Sequence, residues 1–163
     1  MDLPALIQQC TPPHVAQQTM RAVMRIESSF NPYAIGYKIV RKSDRQVFNL
    51  DARPRTREQA IGWAKWLQQN GYVFDAGAAQ VNSSNFKRYG LTVETAFDPC
   101  HSIRVGALIL ADCYKRALPR HKNQQEALRA ALSCYNSGNF STGFRTGYVQ
   151  KVVMAALPSS GSR

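Results

Sequence analysis

The chain is poor in the features that would make it a membrane protein, a zinc protein or a repeat. Nowhere in its 163 residues does an apolar run approach the ~18 residues that span a bilayer as a helix. Met1-Asp-Leu-Pro-Ala carries no basic patch followed by an apolar stretch, so no secretory signal is expected here, whether never present or already removed. Cysteine is scarce. Cys10, Cys100, Cys113 and Cys134 form neither a CxxC pair nor the Cys/His spacing of a zinc site. That leaves buried thiols or two disulfides, the latter requiring an oxidising compartment. His14, His101 and His121 are scattered, and no metal role is assigned to them. No segment repeats another.

Acidic residues are also few, 10 against 21 Lys and Arg, for a net charge of +11. That balance suits a polyanionic partner. The basic residues nevertheless spread along the chain, with local clusters at 38–45, 53–57 and 116–122. There is no basic helix with base-reading side chains and no RNA-binding aromatic motif, so nucleic acid is not expected as a partner. A cell-wall polymer bearing peptide carboxylates fits a diffuse positive surface as well. With 44% hydrophobic residues the chain can bury one core and is short for two domains.

What is present is organised around Arg25-Ile-Glu-Ser-Ser-Phe-Asn-Pro-Tyr-Ala-Ile-Gly36. Apolar spacing through Val15, Val23 and Ile26 reads as a helix starting near His14, and Asn31-Pro32 ends it. Glu27 thus falls in the last helical turn. The negative end of the helix dipole, with Phe30 and Tyr33 nearby, would raise its pKa and let it act as a proton donor. A solvated glutamate at a frayed helix end fits the same stretch equally well.

Farther on, Tyr37–Val40 and Gln46–Asn49 flank Lys42-Ser-Asp-Arg45 as a small β-hairpin, the one strand pair expected. Thr56 and Gln59 open a helix with Ala60, Trp63, Ala64 and Leu67 on its apolar face, ended by Asn70-Gly71. Trp63 and Trp66 read mainly as core, with a sugar-stacking site as the alternative. Phe74 to Asn82 is rich in glycine and alanine and presents Gln80 and Asn82, although a tight turn explains it equally. Asp98-Pro99 and Asn123 with Glu126 start two further helices, and a last one runs from about Gly147 to Leu157. The expected sum is a mainly α (α+β) domain of five or six helices over residues 1–157, with 158–163 a flexible tail or an appended end.

Three polar islands, Glu27-Ser28, Gly77 to Asn82 and Tyr135 to Gly138, lie at helix ends or turns. With the blocks ESSFNPYAIG, GAAQVN, AFDPC and ALSCYNSGN…GYVQKV, the chain resembles the lysozyme-like lytic transglycosylases, most closely the specialised ones of bacterial type IV secretion systems. The resemblance runs from about Cys10 to Val153. It implies a goose-type lysozyme-like fold, Glu27 as catalytic acid and Ser28 as its partner. It also implies that Gln80 and Asn82 bind substrate, that Tyr135 and Asn136 lie beside the catalytic carboxyl, and that Tyr148 forms a cleft wall. Ala79 departs from the methionine common there, which removes a thioether contact to sugar.

The implied reaction cleaves the bond between N-acetylmuramic acid and N-acetylglucosamine and closes a 1,6-anhydro ring, with neither cofactor nor metal. None of the islands supplies the second carboxylate of an ordinary glycosidase, Asp44, Asp51 and Asp75 being the nearest in sequence. The expected partners are peptidoglycan strands and secretion-system subunits, and the expected place is the periplasm. A hydrolytic lysozyme with the same acid and a peptidoglycan-binding scaffold are the alternatives. Cys10 and Cys100 fall where the family has a linked pair. Cys113 and Cys134 sit on consecutive helices expected to be antiparallel, at heights that match roughly.

Overall fold

A computed structural model describes residues 2–158; the expected tail from 159 onward lies outside the described residues. Among the described residues, eight α-helices and two small strand pairs surround one main core, with a small satellite of Ala117, Ala127 and Ala130 beside it. Helix α1 (Leu3–Cys10) is capped by Asp2, whose carboxylate accepts from the amide of Ala5. Helix α2 (Gln17–Ser28) starts three residues later than expected and buries Met20, Val23 and Met24, while Val15 lies ahead of it. It ends because Ser29 and Phe30 both turn left-handed, with φ of 52° and 61°, and their amides return to the carbonyls of Arg25 and Met24.

The capping signals hold. Thr56 Oγ1 accepts from Gln59 N at the start of α3 (Arg57–Gln69), and Asp98 accepts from His101 N ahead of Pro99 in α5 (Pro99–Ala117). Asn123 accepts from Glu126 N at the start of α6 (Gln124–Ser137). Helix α5 is buried on most of its circumference, from Ser102 to Ala117, which makes it the central post of the domain. Helices α1 and α6 pack on it, and α8 (Tyr148–Ala156) packs on both α2 and α6. Two single-turn helices, α4 (Phe86–Tyr89) and α7 (Thr142–Arg145), were not legible because one turn shows no periodicity.

The β-structure is richer than one hairpin. The expected ribbon forms, since Arg41 N donates to Gln46 O and Phe48 N to Ile39 O. Its strand β1 (Val40–Arg41), however, pairs antiparallel with β2 (Tyr72–Val73), just after the Asn70-Gly71 stop. A second pair joins β3 (Asp75–Ala76) to β4 (Val81–Asn82) around the 77–80 turn. Disulfides link Cys10 to Cys100 and Cys113 to Cys134, with Cα atoms 5.4 and 5.9 Å apart. Cys10 closes α1 and Cys100 lies inside the first turn of α5. Among the described residues no helix is long and apolar enough to cross a membrane.

Candidate active site

The turn between β3 and β4 is where the elements meet. Gly77 has φ of +82°, and a Cβ there would lie 2.2 Å from the carbonyl oxygen of Ala96, so only glycine fits. The next two residues are alanines because helices close in from several sides. Ser28 Oγ of α2 donates to Ala78 O at 2.7 Å, and Tyr135 OH of α6 donates to Ala79 O at 2.5 Å. Ser102 Oγ of α5 accepts from Ala79 N at 3.0 Å. Three hydroxyls from three helices thus pin two peptide groups. Ala79 itself is fully buried against Gly106 of α5, where a Cβ would stand 2.7 Å from its own, so position 79 does not line the cleft.

This clamp holds the end of α2 over a half-open cleft of about 550 Å³ whose lining includes Glu27, Ser28, Tyr37, Lys38, Arg53, Asp75, Gln80 and Asn136. Glu27 reaches the cleft surface but is otherwise packed among protein atoms. Burial pushes its pKa from the ordinary 4.5 up to about 7, and the negative charge of Asp75 adds to the rise. Opposing it are a hydrogen bond donated by Tyr148 OH to Glu27 Oε2 at 3.0 Å, the approach of Asn136, and the positive charge of Lys38. The dominant cause is therefore desolvation rather than the helix dipole invoked from sequence. Phe30 and Tyr33 do not line the cleft.

Several residues take other positions than expected. Tyr148, cast as a cleft wall, is the tyrosine that donates to Glu27, whereas Tyr135 spends its hydroxyl on the Ala79 carbonyl. Burial raises the pKa of both phenols well above 10, and Glu27 adds to the shift, so both stay protonated donors. Ser28 faces backbone carbonyls and positions the helix end. Gln80, at φ of 51°, sends its Nε2 to the carbonyls of Ala34 and Gly77, each at 3.1 Å, leaving Oε1 for the cleft. Asn82 donates to Asp75 Oδ1 at 2.9 Å and accepts from Ser84 N, so both ends of its amide are engaged and it does not line the cleft.

The sequence reading passed over the opposite wall. Asp75, one of the three carboxylates nearest in sequence, lines the cleft, and burial raises its pKa while Asn82 and Lys38 act against the rise. Tyr37 is 83% exposed, and the guanidinium of Arg53 lies 3.7 Å from its ring centroid. Arg53 also donates to Ile35 O at 2.5 Å, which fixes that loop. Both cations belonged to basic clusters visible in the sequence. Their convergence on one cleft was not.

The family model described as "Transglycosylase SLT domain" matches residues 5–154. The chain belongs to this family. It is 47% identical over 157 residues to the "Type IV secretion system protein virB1" of Brucella abortus, an alignment covering 93% of this chain and 62% of that relative. The protein of the same name from Brucella suis matches to the same extent. The "Protein virB1" of Agrobacterium fabrum is 33% identical over 153 residues, covering 88% of this chain and 55% of that protein. The chain thus spans a little over half the length of these curated relatives. No solved structure matches it. The SLT domain, the mainly α architecture and the two-stranded pairs agree with the lysozyme-like fold that the sequence resemblance implied.

Proposed function

We propose that residues 1–157 form the catalytic domain of a peptidoglycan lytic transglycosylase that opens the cell wall locally for a type IV secretion machine in the periplasm. The observation that carries this reading is Glu27, a carboxyl group held to about pH 7 by burial at the floor of a cleft and hydrogen-bonded by Tyr148. Membership of the SLT family, the printed names of the relatives and the two disulfides support the wider setting.

In this mechanism protonated Glu27 donates to the glycosidic oxygen, and the N-acetyl group of the muramic residue stabilises the oxocarbenium-like centre. The carboxylate left on Glu27 then takes the proton of that sugar's C6 hydroxyl, whose oxygen bonds to the anomeric carbon. The proton is restored and no water is consumed. Tyr148 OH and Lys38 stabilise the carboxylate between the two steps, Gln80 Oε1 accepts from the glycan, and Asn136 flanks the acid. Ser28 and Tyr135 are positioning residues, since they hold the helix end and the alanine turn.

A second reading, hydrolysis, is favoured by one observation: Asp75 gives the cleft the second carboxylate that water activation requires. Asn82 occupies one of its oxygens, and burial weakens it as a base. Purified sacculi test the proposal. The wild-type chain releases soluble muropeptides, and folded Glu27→Gln releases none. Release by the variant at more than a small fraction of the parent rate removes Glu27 from the acid's role.

A further inference from the structure

Of the two tryptophans of the chain, Trp63 packs against the core with one side only, and Trp66 stands outside it. Trp63 is half-buried, Trp66 is 41% exposed, and together with Phe48 they wall an open groove of about 540 Å³ on the outer face of α3. Phe48 lies 5.0 Å from Trp66 and 6.0 Å from Trp63, and Tyr72 stacks on Trp66 at 6.0 Å with a 17° interplanar angle. The two indoles stand edge to face, 6.1 Å apart at 83°, so the cluster is an angled aromatic wall rather than a flat one.

Gly62 lies in the same groove, in the middle of α3. Glycine weakens a helix interior because it loses more backbone freedom on folding than alanine does. Here no packing explains it, since a Cβ at this position would meet nothing within 4 Å. The open space beside the indoles is kept clear of protein at a cost to the helix. The neighbouring chain segment is basic. Residues 38–57 hold seven Lys and Arg against two Asp, of which Lys38 and Arg53 line the Glu27 cleft, and Arg41, paired with Asp44, lies 5.6 Å from the Tyr72 ring centroid. Groove and cleft are close along the chain, for Tyr37 and Lys38 of the cleft precede Phe48, and Tyr72 of β2 lies three residues before Asp75 of β3, in a separate strand pair.

We propose that this groove is a second glycan-binding site, seating aminosugar rings of a peptidoglycan strand on Trp63 and Trp66 while cations of the neighbouring segment meet carboxylates of its peptide substituents. The inference rests on the transglycosylase reading for the identity of the polymer. Flat aromatic faces suit the apolar faces of sugar rings, and the surplus of positive charge matches an anionic glycan.

Tryptophan fluorescence tests it directly, because both tryptophans line this groove and none lines the Glu27 cleft. The full chain carrying Glu27→Gln is titrated with soluble chitin hexasaccharide, then co-sedimented with purified sacculi. Emission is expected to shift saturably with the hexasaccharide. Gly62→Leu, which fills open space with a better helix former, abolishes the shift while keeping or raising the melting temperature. Trp66→Ala weakens sacculus binding roughly two- to tenfold, the range of one aromatic contact. In the chain with Glu27 intact, it raises KM on sacculi and leaves kcat unchanged. An unchanged emission, an undiminished shift in Gly62→Leu, or parental sacculus binding by Trp66→Ala overturns the proposal. Failure of the transglycosylase reading shows separately, as wild-type chain that shifts its emission with hexasaccharide yet releases no muropeptides.

Discussion

Replacing Glu27 by glutamine removes the activity and, on this account, stabilises the fold above neutral pH. The folded chain holds the Glu27 proton to about pH 7, against 4.5 for an ordinary glutamate, because burial disfavours the charged form. Each tenfold difference in proton affinity is worth about 1.4 kcal/mol, so ionising Glu27 at pH 8 costs the fold up to about 3 kcal/mol relative to the unfolded chain. Water at the cleft mouth makes that an upper figure. The sign follows from linkage. A carboxyl with a raised folded pKa destabilises nothing below pH 4.5, costs more as pH rises to about 7, and costs a constant amount above. Glutamine has no charge to desolvate, and its amide oxygen still accepts from Tyr148. Thermal and urea denaturation of both chains at pH 4, 6 and 8 measure the difference. At about 2–4 °C per kcal/mol, the variant melts several degrees above the parent at pH 8, and the gap closes by pH 4. A variant no more stable than the parent at pH 8, or equally more stable at pH 4, refutes burial as the cause of the raised pKa.

Three further outcomes follow from the same geometry. The hydrogen bond from Tyr148 lowers the pKa of Glu27, so Tyr148→Phe is expected to move the alkaline limb of the pH–rate profile upward; a downward or absent shift contradicts the assignment. Asp75 raises the pKa of Glu27, so Asp75→Asn moves that limb downward and leaves the product unchanged, which muropeptide chromatography checks. The disulfides span 90 and 21 residues, and chain-entropy loss in the unfolded state values them at roughly 4–5 and about 3 kcal/mol. Denaturation of Cys10→Ala/Cys100→Ala and Cys113→Ala/Cys134→Ala chains should therefore show the first pair as the costlier loss.

Legibility in the sequence followed the range of the interactions. The cap at Thr56 and the end of α2 just after Glu27 rest on neighbours in the chain. The reading of Thr56, Asp98 and Asn123 as caps rested on local residue types, and the hydrogen bonds bear it out. Glu27 stood out because it closes an amphipathic pattern. Its real partner did not, since Tyr148 lies 121 residues away and nothing local marks it. The acceptor of the Tyr135 hydroxyl was not legible for the same reason, as the alanine turn that takes it arrives from 56 residues away. Strand β2 is two residues long and follows a helix stop without alternation of its own. Trp63 and Trp66 sit at helical spacing like core residues; Trp63 does pack partly on the core, while Trp66 lies outside it against Phe48 and Tyr72, which no local pattern announces.

The central claim is that Glu27 drives ring closure by the sugar's own C6 hydroxyl, with no water consumed. Digestion of sacculi in water enriched in heavy oxygen, followed by mass spectrometry of the released muropeptides, tests it most directly. The account predicts anhydro-muramic ends free of label, and none of them when Glu27 is glutamine. Reducing ends carrying the heavy oxygen would contradict it and make the cleft, with Asp75 beside Glu27, that of a hydrolase.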